Sequence, residues 1–192
     1  MKKIFTLLFS SSLLLSFAQN QELKLASDVW PPFTNVESEK AVALNIVQTC
    51  LQRIDYPSDI NIHDFITVMA GIKSGKYDGS AALWKTKARE ELLVFSEPYL
   101  QNQLILVGLK GKKVNVKSID GLKNQRIGLV SNYAYDEDLL SSKSVNLMFN
   151  ESDQQNLEKL FENQIDYMLV DALLIEYLLQ YQLNDVKEHL AI

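Results

Sequence analysis

Apolar and polar side chains follow one another along this chain with a period that switches repeatedly between strand-like and helix-like. Glu22 to Ser27 (ELKLAS) alternates and predicts a strand. It cannot run on into DVWPPFT, Asp28 to Thr34: Pro31 and Pro32 lack an N–H donor and fix φ, so an exposed loop is expected. Ala43, Leu44, Ile46, Val47, Cys50, Leu51 and Ile54 recur at helical spacing and predict a helix from Ala41 to Ile54. Ile60 and Ile62 mark a short strand, and Phe65, Val68, Met69 and Ile72 a second helix that Gly75 stops. Tyr77 to Leu83 reads as a buried strand, and Gln103 to Leu109 (QLILVGL) as another. Beyond the polar connection at Lys110 to Lys113 the alternation restarts. It predicts strand Arg126–Val130, a helix from about Tyr133, strand Val145–Phe149, helix Asp153–Asn163, strand Asp166–Val170 and helix Ala172–Tyr181.

Strands alternating with helices predict an α/β fold with parallel sheets covered on both faces. The polar break near 109–117 divides the chain into lobe 1, residues 19–109, and lobe 2, residues 110–192. Two lobes joined at a hinge leave a cleft, and in open α/β sheets ligands bind beyond the carboxyl ends of the strands. DVWPPFT, LWKTKAR (83–89), VSNYAY (130–135) and Asp171 all fall at such ends.

Composition narrows the function classes. The 192 residues carry a formal net charge of −5 and 47% hydrophobic side chains, an ordinary globular balance without a basic patch, so nucleic acid is not an expected partner. His63 and His189 are the only histidines and Cys50 the only cysteine, which gives no spacing for a structural zinc site; no metal or cofactor is expected. Cys50 sits among apolar positions and is expected to be an inert core thiol. Lys2 and Lys3, the apolar run Ile4 to Leu15 and the small-x-small sequence Ser16-Phe17-Ala18 have the layout of a secretory signal peptide. Residues 1–18 would be removed and the mature chain would begin near Gln19 in the periplasm.

Several residues at the predicted strand ends carry useful chemistry. Arg89 offers a planar fork of donors that suits a carboxylate, and Thr86 a hydroxyl beside it; alternatively Arg89 is a solvated arginine paired with Glu90 or Glu91. Asp171 could hold an ammonium, cap the helix from Ala172, or do both. Asn132, Tyr133 and Ala134 are placed to open a helix whose free N–H groups attract an anion, or to form a plain turn. Asp28 begins the first loop, and Trp30, Phe33 and Trp84 could stack on an organic ligand or pack as core. Tyr99, after Ser96-Glu97-Pro98, is expected to close a turn.

In order along the chain, DVWPPFT, SGKYDG (74–79), the T-x-x-R-E-E run Thr86 to Glu91, FSEPY (95–99), GLKNQRIGLV (121–130) and IDYMLVD (165–171) resemble the extracellular solute-binding proteins of family 3. The resemblance implies a two-lobed, type II periplasmic-binding-protein fold with mixed parallel sheets and flanking helices, closing on its ligand by hinge motion. It implies capture of a small polar, carboxylate-bearing, amino-acid-like solute by a monomer and delivery to the membrane permease of an ABC importer. The arginine matching Arg89 would clamp the α-carboxylate, helped by the helix start matching Asn132 and Tyr133. The aspartate matching Asp171 would take the α-ammonium, and an aromatic matching Trp30 or Phe33 would line the side-chain pocket. Ala81, Ala82, Leu83 and Trp84 stand where family members carry serines, so hydroxyl contacts are expected to be lost. Family members return to the first lobe after the second, so lobe 1 is expected to be incomplete and lobe 2 cut before that return. An exported dehydratase on the same fold, or a sensing module without transport, is the alternative. No enzyme is expected, because no paired carboxylates stand with a positioned histidine.

Overall fold

The computed structural model describes residues 22–35 and 41–192; the expected signal peptide lies outside them. Strand β1 (Leu23–Ser27) is central in a small parallel sheet, flanked by β2 (Ser58–Ile62) and β3 (Gly79–Ser80) in the order β2-β1-β3. Because side chains alternate across a strand, neighbouring residues of β1 feed different cores. Leu25 packs with Ala41, Leu44 and Ala81 beneath helix α1 (Val42–Arg53), while Ala26 packs with Val68 and Tyr77 beneath helix α2 (Phe65–Lys73). Helix α2 begins where Asp64 accepts the N–H of Thr67 at 2.9 Å, and the chain leaves it through Gly75 at φ +75°. Gly71 is required there: a Cβ would stand 2.3 Å from the Tyr77 ring.

The second sheet is larger, in the order β6-β5-β7-β4-β8. Its strands are β4 (Leu104–Leu109), β5 (Arg126–Val130), β6 (Asn146–Asn150), β7 (Tyr167–Asp171) and β8 (Leu190–Ala191). Strand β5 runs parallel to β6 and β7, whereas β4 is antiparallel to both β7 and β8. One face buries Val107, Met168 and Val170 against helices α5 (Asp153–Phe161) and α6 (Ala172–Tyr181). The other buries Ile127, Leu129 and Tyr167 with Leu139 of the short helix α4 (Glu137–Ser141). A four-residue helix, α3 (Lys87–Glu90), lies between the sheets.

Four expectations change. The strand at 103–109 does not belong to the first lobe: β4 forms its ladder with β7, so the crossing between sheets lies before Leu104, and Lys110 to Lys113 is a connection within the second unit. Of the strand expected over 77–83, only Gly79 and Ser80 pair. The helix expected from Tyr133 begins at Glu137, because Asn132 turns the chain at φ +66° and the Tyr135 hydroxyl accepts the Val130 N–H at 2.8 Å. Cys50 is exposed on α1 rather than in the core.

Candidate functional site

The carboxyl ends of β1, β3, β5, β6 and β7 converge on one cleft, and the residues that follow them form its walls. From the first unit come Asp28, Trp30, Phe65, Trp84 and Arg89; from the second come Tyr133, Tyr135, Asp153 and Asp171. The space encloses about 560 Å³, part of it open to solvent. The loop after β1 is shaped by its own main chain: the Thr34 N–H donates to the Trp30 carbonyl at 2.9 Å. The Pro32 and Phe33 carbonyls accept the N–H groups of Val42 and Ala43, satisfying the start of α1, which has no side-chain cap. This anchors Trp30 at the rim, its ring 4.4 Å from Phe33 and 6.2 Å from Trp84 between centroids.

Arg89 reaches into the cleft because Thr86 caps α3, its hydroxyl accepting the Arg89 N–H at 3.2 Å. The guanidinium donates from Nη1 to the Trp84 carbonyl (2.7 Å) and from Nη2 to the Asn132 carbonyl (3.1 Å), and its carbon lies 5.0 Å from the centroid of the Phe65 ring. It therefore ties the two units together across the cleft, with further N–H donors beyond those two. Lys85 takes Glu90 instead, at 2.7 Å, which leaves Arg89 out of the surface pairing considered for it. Burial lowers the Arg89 pKa while the charge of Asp28 opposes that; burial raises Asp28, opposed by its backbone hydrogen bond and by Arg89.

On the opposite wall, Asp171 is 4% exposed and accepts three hydrogen bonds, all from neutral donors. Its Oδ1 accepts the N–H groups of Leu173 (2.9 Å) and Leu174 (3.1 Å), capping α6, and its Oδ2 accepts from Asn102 Nδ2 at 3.1 Å. Asp153, 8% exposed, opens α5, whose cap is supplied by Ser152 accepting the Gln155 N–H at 3.2 Å. Burial first, and the nearby charge of Asp171 second, push the Asp153 carboxyl up to about 7. Burial also raises the phenols of Tyr133 and Tyr135.

A family model for bacterial extracellular solute-binding proteins, family 3, matches residues 23–181. The chain belongs to this family. A relative of this family-3 chain is a protein of Escherichia coli K12 named as ABC transporter arginine-binding protein 2, 23% identical over 134 residues. The match takes in 67% of this chain and 54% of that one, so the chain spans about half the length of the curated relative it matches. Solved structures share the two-lobed, flytrap-like fold. The Bordetella pertussis BvgS periplasmic VFT2 domain superposes with a TM-score of 0.74 at 21% identity, over 89% of this chain and 74% of that one. An ancestral arginine-binding protein bound to arginine gives 0.73 at 16% identity, over 90% and 78%. Holo ArgBP from T. maritima gives 0.69 at 16%, over 89% and 76%.

Of the site residues expected in this solute-binding chain, Asp28, Trp30, Trp84, Arg89, Tyr133 and Asp171 line the cleft. Three do not. Phe33 is 3% exposed and supports Trp30 from behind, facing a second hollow beneath residues 95–102. Thr86 does not line the space, its hydroxyl oxygen accepting at the cap of α3, and Asn132 contributes its carbonyl to Arg89 from an exposed turn rather than an anion cradle at a helix start. Tyr99, expected to close the turn after Pro98, instead donates its hydroxyl to the Ala81 carbonyl, 18 residues back. Phe65, Tyr135 and Asp153 join the site unannounced. The strand-end rule that picks out Asp171 after β7 applies equally to Asp153 after β6. Among the described residues no cluster of three or more His, Cys, Asp or Glu could hold a metal ion, and no helix is long and apolar enough to cross a membrane.

Proposed function

We propose that the chain captures an amino-acid-like solute in this cleft, without chemistry of its own, and passes it to the permease of an ABC importer after export and removal of residues 1–18. The observation that carries this is a guanidinium, Arg89, and a carboxylate, Asp171, on opposite walls of one cleft lined by Trp30 and Trp84. That pairing matches the two charges common to every free amino acid: a fork of donors for the α-carboxylate and an acceptor for the α-ammonium. The relatives named for arginine support the amino-acid class. Main-chain carbonyls already hold Arg89 in place, so its remaining donors are presented with little loss of side-chain freedom on binding.

Calorimetry of the full chain with L-arginine and L-glutamine tests this reading. At least one should bind, and Arg89→Ala should weaken that binding by tenfold or more, roughly the effect of losing a charged hydrogen bond. Unchanged affinity in Arg89→Ala would remove the clamp. Turnover of either amino acid on incubation would favour an enzyme instead. Sequencing the exported protein from its N-terminus should start at Gln19.

A further inference from the structure

Asp153 is more than nine-tenths buried and lines the cleft, yet among the described residues no other residue donates a hydrogen bond to it. Ser152 already caps α5, so the helix does not need this carboxylate as its cap. Its own backbone N–H supplies the one hydrogen bond it receives, and a buried carboxylate that no cation or second donor offsets is costly, so such groups are retained where something else pairs them. The charges of the cleft are also out of balance. Asp28, Asp153 and Asp171 face it with a single guanidinium, Arg89, whose electrostatic partner is Asp28. An amino acid with a neutral side chain brings no net charge, so the negative charge of Asp153 stays unbalanced when the cleft shuts. A solute with a second cationic group would pair it, and the Trp30, Trp84 and Tyr133 rings around the same space suit a cation.

We propose that Asp153 anchors a cationic side chain, so that the solute is a basic amino acid with its α-carboxylate on Arg89, its α-ammonium on Asp171 and its side-chain cation on Asp153. This rests on the amino-acid reading above and adds the side-chain class to it. It also gives Asp153 a specificity role that neither the capping of α5 nor the clamp at Arg89 supplies.

L-Arginine and L-citrulline separate the two levels, because citrulline keeps the shape of arginine and loses its side-chain charge. Titrated into the full chain, L-arginine should bind about thirtyfold more tightly than L-citrulline, the scale of a charged hydrogen bond made or lost. In Asp153→Asn the ratio should fall to within about threefold, chiefly through weaker arginine binding. Equal affinities in the wild-type chain, or a ratio unchanged in the variant, would overturn the role of Asp153 and leave the amino-acid reading standing. If neither arginine, citrulline nor L-glutamine binds, the amino-acid reading falls and this inference with it. The wild-type ratio needs no variant, so the proposal stays open to refutation even if Asp153→Asn folds poorly.

Discussion

The two ends of the second sheet treat carboxylates in opposite ways. At the amino end, Asp166 stands just before β7 and is saturated by its own chain. It accepts from the Arg126 N–H (2.9 Å), Arg126 Nε (3.0 Å), Arg126 Nη2 (3.3 Å) and Lys112 Nζ (3.2 Å), and those partners hold its carboxyl well below the usual carboxylate range. At the carboxyl end, Asp171 is held by neutral donors only, and Asp153 beside it is pushed up to about 7 by burial. The strand thus runs from a carboxylate that the fold has finished with to carboxylates that the fold has buried and left short of positive charge. Scaffold and site are separated by the length of β7, and the cationic solute proposed above would supply the positive charge lacking at one end.

The largest break in that contrast should come from Asp171→Ala. The substitution removes the two bonds that Oδ1 accepts from the start of α6 and leaves Asn102 Nδ2 without its partner. Losing a helix cap and orphaning a half-buried donor together cost about 2–3 kcal/mol. Urea unfolding of the ligand-free chain at neutral pH should show that loss, and calorimetry the loss of amino-acid binding. A variant that binds weakly but unfolds like the wild type would mean that Asp171 serves the ligand alone.

Asp153→Asn should do the reverse to stability. The native carboxyl is pushed up to about 7 and the unfolded one has the ordinary value of 3.8, so between these values the folded chain binds the extra proton. Stability then falls as pH rises through this window, and above about 7 the full penalty is present. The groups that face it, Asp171, Tyr133 and Tyr135, supply no cation to offset it. Asp153→Asn should therefore stabilise the ligand-free chain by about 1–3 kcal/mol at pH 8 and hardly at all at pH 4. Thermal unfolding at both values checks this. A basic amino acid that pairs Asp153 should also drive off its proton near neutral pH, so binding enthalpy should vary with the ionisation heat of the buffer. That variation should vanish in the variant.

The fold was largely legible because periodicity and caps agree. Helix α6 runs over Ala172–Tyr181, as expected, since Asp171 stops the strand and an apolar helical stripe follows at once. The partner of a strand is harder to read: QLILVGL announces β4 but says nothing of its antiparallel ladder with β7, and the lobe boundary moves with that ladder. The stretch after β5 misled for a local reason, a left-handed Asn132 and a Tyr135 hydroxyl that takes a main-chain N–H. Arg89 and Asp171 could be singled out by residue type and by position at strand ends. Asp153 follows a strand end as well, but a Ser-Asp pair opening a helix reads as ordinary capping. Its importance comes from burial and from the charge of Asp171 beside it, which only the folded chain brings together.

The smallest effect is expected at the saturated end, and its sign is the sharpest check on the contrast. Asp166→Ala removes a carboxylate shared by Arg126 and Lys112, but these partners are 41% and 39% exposed, so water and salt screen much of the attraction. A melting-temperature drop of about 2–3 °C is expected at pH 7. Because the native carboxyl lies below its unfolded value, the contribution it makes is complete above about pH 4 and fades as acid titrates the folded state. The Asp166→Ala and wild-type melting curves should therefore draw together as pH falls below 4, whereas Asp153→Asn and wild type should draw apart as pH rises above it. If both variants shifted in the same direction with pH, the two ends of β7 would not differ in how they hold charge, and the case for a cation-seeking cleft would lose its electrostatic half.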